Sequence, residues 1–286
     1  MKNPRFGYAL LALAALFWGL NGPVARHFFS LGLTAPELAF LRCATGAFCF
    51  GLHAVFRKEW HVAPRDLPKL LLFGSACLGL FTLSYQTSVY ENGAAPAVIL
   101  LYTAPAWVAL LSRIVLGHRL KRRTIAAIGI AMAGVFLITL AGSTDKRLSW
   151  IGITAGLASA LLYALHFPWN FRWRGIYSPI TLYSYAMLGG ALLLLPFSGF
   201  TARPAPVWLQ VFPGLALITY LPYLCYGLGM RSVNPMPAAV IVNLEPLIGC
   251  VAAYLWWNEQ FAPSGWLGAG LVIGAVFLLI YGKKEV

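Results

Sequence analysis

Residues 7–29 read GYALLALAALFWGLNGPVARHFF, an apolar run interrupted near its end by Asn21, Gly22, Pro23, Arg26 and His27. About 20 helical residues of this kind cover the roughly 30 Å hydrocarbon core of a bilayer. Working outward from Gly7–Phe29, nine similar segments follow: Thr34–Phe56, Lys69–Tyr90, Gly93–Ser112, Arg122–Leu140, Ser149–Phe171, Tyr177–Ser198, Pro206–Met230, Met236–Trp257 and Ala262–Tyr281. Together they consume nearly all of the 286 residues. Only 10% of the chain is charged and 60% is hydrophobic, against roughly 25% charged in soluble domains. Ten helices apolar all round would leave no polar face for water. The composition excludes a disordered, collagenous or disulfide-stapled secreted chain.

The charges test this count. With the amino terminus inside, sixteen of the 21 Lys and Arg residues fall on cytoplasmic pieces; Arg26, Lys146, Arg147 and Arg203 fall opposite, and Arg42 lies within a span. That bias follows the positive-inside rule. It predicts a multi-pass protein of a bacterial-type cytoplasmic (inner) membrane, with both termini cytoplasmic. The formal charge of +13 then orients the chain and meets anionic lipid headgroups, so the lipid bilayer is the expected partner and nucleic acid is not. Cys43, Cys49, Cys77, Cys225 and Cys250 lie within spans without metal-type spacing, and neither metal nor cofactor is expected.

A repeat is hidden in the chain. A shift of 145 residues lays the first span on the sixth, so that Trp18 meets Tyr163, Asn21 meets His166 and Pro23 meets Pro168. A shift of 141 lays Pro105 on Pro246, Tyr102 on Asn243, Tyr85 on Tyr226 and Gly129 on Gly270. Two five-span repeats, residues 1–145 and 146–286, result. Because five is odd, the second enters the membrane inverted. The fold expected is an all-α integral membrane protein of ten transmembrane helices, arranged as two inverted five-helix repeats around a central cavity. That is the architecture of many secondary transporters.

Several short motifs carry a resemblance over essentially the full length: Phe17-Trp18-Gly19-Leu20-Asn21, Phe40-Leu41-Arg42, Leu244-Glu245-Pro246-Leu247, Trp257-Asn258-Glu259, and a helix bearing Gly268, Gly270 and Gly274. The chain resembles the drug/metabolite transporter superfamily in its ten-helix form with two EamA-type domains. Within it, the chain is most similar to bacterial exporters of aromatic amino acids. His118 stands where the second repeat has Glu259, a departure from the family's usual acid. The resemblance implies outward transport of aromatic and other neutral amino acids.

Candidate site residues follow from the cost of polar groups in hydrocarbon. Pro23, Pro105, Pro168 and Pro246 lack an amide proton and crowd the preceding turn, so each is an expected helix break facing a shared cavity. Glu245 sits near the middle of the ninth span, where a carboxylate costs about 2.5–3.5 kcal/mol on insertion scales. Arg42 lies at a comparable depth. The two suit a fixed buried ion pair, a proton-coupling acid, or a contact between Glu245 and a substrate ammonium. Trp18, Asn21, Tyr85, Tyr102, Tyr163, His166 and Asn243 are the candidate substrate-binding residues, because rings suit flat apolar or cationic ligands. Trp60, Trp150, Trp208, Trp256, Trp257 and Trp266 lie near span ends and suit the headgroup zone. Gly152-x-x-x-Gly156 and Gly270-x-x-x-Gly274 point to close packing, within a monomer or across a weak homodimer.

Chemical signatures are missing: the sequence has no H-E-x-x-H, no G-x-S-x-G and no G-x-x-x-x-G-K-[ST]. The expectation is a secondary transporter and not an enzyme, exporting small-molecule amphipathic metabolites by alternating access. The competing readings are a membrane-integral enzyme and a uniporter for another metabolite class, such as a nucleotide sugar or drug cation.

Overall fold

The computed structural model describes residues 4–104, 107, 111, 122–141, 148–173, 176–199, 201–229, 241–242, 245–258 and 262–281; Pro168 and Pro246 are described by backbone alone. Among the described residues the chain is helical, without a β-strand. The first repeat contains α1 (Pro4–Gly19), α2 (Asn21–Ser30), α3 (Ala35–Arg57), α4 (Leu67–Gly74), α5 (Phe81–Asn92), α6 (Ala94–Leu101) and α7 (Arg122–Ala141). The second contains α8 (Trp150–Trp173), α9 (Pro179–Leu194), α10 (Ala205–Leu215), α11 (Leu221–Gly229), α12 (Glu245–Trp257) and α13 (Pro263–Tyr281). Among the described residues, five runs are long and apolar enough to cross a membrane: Arg5–Ser30, Ala35–Arg57, Leu67–Asn92, Pro179–Phe197 and Ala205–Gly229. Shorter apolar helices run Ile125–Gly134 and Trp150–His166.

The repeat is visible in the backbone. A π-helical turn, Ser75–Leu80, joins α4 to α5, and a second, Ala216–Tyr220, joins α10 to α11. The shift of 141 carries Ser75 onto Ala216, so the same wide turn recurs at the same place. Such turns are rare and tend to mark functional sites. Packing repeats as well. The α5–α8 contact is mated by α11–α1, and α6–α8 by α12–α1. Crossing of α9 by α4 and its π-turn is mated by crossing of α3 by α10 and its π-turn. The pairs α3–α9, α6–α12 and α7–α13 lie where the repeats meet themselves.

Local chemistry starts the helices. Thr34 caps α3 by accepting from the Glu37 amide, while Glu37 accepts from the Thr34 amide, with Pro36 in the first turn. Ser178 caps α9 by accepting from the Thr181 amide, with Pro179 next to it. In both, a side-chain oxygen satisfies an orphan amide of the first turn.

Each cap also receives a loop from elsewhere. At the α9 cap, Ser178 Oγ donates to Glu59 at 2.6 Å, and Tyr177 Oη donates to Asp66 at 3.0 Å. At the α3 cap, Arg203 pairs with Glu37 and donates to the Gly32 carbonyl at 2.7 Å. Glu59 follows the end of α3 and Glu37 lies at its start, so the two latches grip opposite ends of one helix.

One expectation changes. Helix α8 runs unbroken through Pro168, because proline removes a single hydrogen bond and the bonds on either side hold the register. Gly152 and Gly156 pack closely within the chain, against Asn92 and against Leu100 and Ser88, whereas Gly270 and Gly274 have nothing among the described residues within 4 Å of the place a Cβ would occupy. Of the expected headgroup tryptophans, Trp60, Trp150, Trp256 and Trp266 are exposed. Trp257 instead donates from Nε1 to the Pro23 carbonyl at 3.0 Å, with the Arg26 guanidinium 5.0 Å from its ring.

Candidate functional site

The first span is interrupted at Leu20, the residue between α1 and α2. Pro23 has no amide proton to give the Gly19 carbonyl, so the helix loses a rung here. Gly19 lets α12 come close: a Cβ there would lie 2.7 Å from Ile248 and 2.9 Å from the Glu245 carbonyl. At Gly22 a Cβ would lie 3.2 Å from the Tyr85 hydroxyl. The break is therefore a crowded meeting point of both repeats.

Two polar groups assemble around it. Arg42, 3% exposed on α3, donates from Nη1 to Asn21 Oδ1 at 2.9 Å and from Nε to Thr219 Oγ1 at 3.2 Å. Thr219 belongs to the second π-turn, and Asn21 is the first residue of α2. Tyr102, just past α6, donates its hydroxyl to Glu245 Oε2 at 2.9 Å at the start of α12. Arg42 and Glu245 lie within electrostatic reach of each other. Each has its own partners, and among the described residues no ion pair within 4.0 Å joins them.

Aromatic rings form a continuous arc beside these groups. Ring centroids are 6.3 Å apart for Tyr85–Phe81, 5.7 Å for Phe81–Tyr163, 6.4 Å for Tyr163–His166 and 6.2 Å for His166–Tyr183. The arc continues at 4.7 Å for Tyr183–Tyr223, 5.2 Å for Tyr223–Trp18 and 5.5 Å for Trp18–Tyr226. These spacings are those of favourable edge and offset contacts. Tyr85 and Tyr226, and Tyr163 and Trp18, all on this arc, are repeat counterparts. His166 is buried, with Nε2 3.5 Å from the Tyr183 hydroxyl and its ring against Phe73.

The structure thus brings Trp18, Asn21, Arg42, Tyr85, Tyr102, Tyr163, His166 and Glu245 into one region, with Pro23 in the first turn of α2. Pro246 occupies the first turn of α12. Pro105, Asn243, His118 and Glu259 lie outside the described residues. Thr219, Phe81 and Tyr183 join the site without standing out in the sequence. No sequence signal marks Thr219: its repeat counterpart is an ordinary leucine, Leu78, in the first π-turn.

Known proteins share this plan. The model of the EamA-like transporter family matches residues 5–140 and again 150–281. An uncharacterized transporter of Archaeoglobus fulgidus is 27% identical over 278 residues, covering 96% of each chain. A probable terminal-alkyne amino-acid exporter of Streptantibioticus cattleyicolor is 25% identical over 287 residues, covering 98% of this chain and 94% of that protein. One solved crystal structure superposes with a TM-score of 0.63 over 95% of each chain at 15% identity, a likeness of fold alone. With the family pattern present once in each half, the chain belongs to the EamA-like transporter family, as a membrane protein built of two repeats.

Proposed function

We propose that the chain is a secondary exporter of small amphipathic metabolites, aromatic and other neutral amino acids foremost, working by alternating access. The observation that carries this reading is the polar assembly Asn21–Arg42–Thr219 and Tyr102–Glu245, set against a continuous aromatic arc at a break in the first span. Charged groups inside a membrane bundle mark substrate or ion paths, because hydrocarbon tolerates them poorly. Rings beside them provide flat apolar faces for an aromatic side chain. The printed name of the Streptantibioticus cattleyicolor relative supports the amino-acid class and the outward direction.

Alternating access moves one repeat against the other around a fixed site. The Glu59 and Arg203 latches, at opposite ends of α3, are contacts that such a motion breaks in turn. With no nucleotide-binding sequence, the driving force is a gradient of ions or substrate. The positive-inside bias supports a bacterial-type inner membrane with both termini cytoplasmic.

The test is counterflow in proteoliposomes preloaded with unlabelled phenylalanine. Labelled phenylalanine and tryptophan should accumulate well above protein-free vesicles, with threonine weaker. If none exchanges while a sugar phosphate or a drug cation does, the substrate reading is wrong.

A further inference from the structure

We infer that the charged groups at the α1/α2 break form a two-ended frame for an α-amino acid, in which Arg42 receives the carboxylate and the Tyr102–Glu245 pair receives the ammonium. This deepens the proposed function and rests on it.

Arg42 is the first half of the frame. A guanidinium carries five N–H donors and a full charge. On Arg42, Nε and Nη1 meet only neutral oxygens, those of Thr219 and Asn21. Among the described residues no carboxylate lies within 4.0 Å of it. Arg203 is the telling contrast. Its side chain is also buried, 8% exposed, and there the chain supplies Glu37 as a direct partner. A buried charge without a counter-ion is costly, and a planar fork matches a carboxylate through two parallel bonds. Asn21 and Thr219 fix the orientation of the fork and leave Nη2 donors over. Arg42 is therefore built to receive an anion that no described residue provides within 4.0 Å.

Glu245 is the second half. Its carboxylate has room for about four hydrogen bonds, and among the described residues it accepts one, from Tyr102 at 2.9 Å. That bond holds Oε2 in place and leaves acceptors for an ammonium group. Both ends of the frame sit on the same break: Arg42 holds Asn21, and the Glu245 carbonyl packs at Gly19. Trp18, one residue before Gly19, belongs to the aromatic arc, and so does Tyr223, which lies within electrostatic reach of both Arg42 and Glu245. A bound aromatic amino acid would place its ring along the arc, with its two charges spread between the two ends. An amine would leave Arg42 without its anion, and an acid would leave Glu245 without its cation. Because unmet buried charges discriminate strongly, both one-ended analogues should be rejected.

Competition against labelled phenylalanine counterflow in proteoliposomes tests this. Phenethylamine lacks the carboxylate and 3-phenylpropanoate lacks the ammonium. In the unaltered protein each should compete at least tenfold more weakly than phenylalanine. In Arg42→Gln, phenylalanine should weaken to the level of phenethylamine; in Glu245→Gln it should weaken to the level of 3-phenylpropanoate. Tyr102→Phe should shift selectivity in the same direction as Glu245→Gln, by a smaller factor. If either one-ended compound competes as well as phenylalanine in the unaltered protein, the two-ended frame is wrong while amino-acid transport stands. If labelled phenylalanine does not exchange at all, the parent reading falls first. The unaltered protein decides the matter even where Arg42→Gln fails to assemble.

Discussion

Two crossings in this molecule share one backbone plan and differ in what fills them. Where α4 and its π-turn cross α9, glycines let the backbones touch: a Cβ at Gly74 would overlap the Ala186 carbonyl oxygen, one at Gly189 would overlap that of Leu71, and Gly79 meets Gly190. Where α10 and its π-turn cross α3, Leu215 and Tyr220 occupy the positions of Gly74 and Gly79. Rings hold these helices apart, with Phe50–Tyr220 centroids at 4.9 Å, Phe48–Phe212 at 5.8 Å and the Tyr220 hydroxyl bonded to His53 at 2.9 Å. The repeat dictates the path of the chain, and the side chains then make one crossing backbone-close and the other ring-spaced. The latches differ in the same spirit. Arg203–Glu37 is a buried ion pair, with side chains 8% and 0% exposed, whereas the Glu59 side chain remains 31% exposed.

That contrast predicts unequal responses. Arg203→Ala should be the most damaging single change, because it strands the Glu37 carboxylate in the interior, at about 3–5 kcal/mol. Unfolding in detergent reads it, and adding Glu37→Gln should recover part of the loss. A loss too small to measure would mean that water reaches Glu37. Gly74→Ala forces α4 from α9 and should cost about 1–3 kcal/mol by the same measurement. Gly270→Ala, with open space around it, should be near neutral; equal effects would deny that the glycine crossing is special. Ser178→Ala removes a cap and a bond to Glu59, for about 1 kcal/mol, and should lower stability less than Arg203→Ala does.

The smallest effect is pH-dependent. Burial raises the Asp66 carboxyl, but hydrogen bonds from Tyr177 and Lys69 and the charges of Lys69 and Arg65 outweigh it, and the group is held below the usual carboxylate range. Its contribution is present above the unfolded-state pKa and is lost as pH falls through the folded one. Comparing Asp66→Asn with the unaltered protein from neutral to acid pH should show a stability gap that closes as the pH drops. A gap independent of pH would remove Asp66 from the latch.

Much of the fold is legible in the sequence because hydropathy and charge bias report crossings directly. The shifts of 145 and 141 pair Trp18 with Tyr163 and Tyr85 with Tyr226, and all four rings belong to the arc. The π-turns are not legible: they change hydrogen-bond register without changing composition. Thr219 therefore looks like any threonine in an apolar run. The Arg203–Glu37 pair is hidden by 166 residues of separation, and Arg203 reads only as a loop base. Thr34-Ala35-Pro36-Glu37 nevertheless carries a capping-box pattern, a signal able to place Glu37 at a helix start. Pro168 shows the opposite limit, since a proline announces a missing bond and not how the neighbouring turns absorb it.

The most direct test of alternation between repeat-related latches is a reversible bridge at each end of α3. With the five native cysteines replaced by alanine, cysteines would be placed at Glu59 and Ser178, or at His27 on α2 and Gln210 on α10, whose side chains meet at 3.2 Å beside the elements that carry the Arg203 latch, and joined by a short bis-methanethiosulfonate reagent. Either bridge alone should arrest phenylalanine counterflow, and a reductant should restore it. Exchange at full rate with either bridge intact would contradict alternation between the two ends of α3.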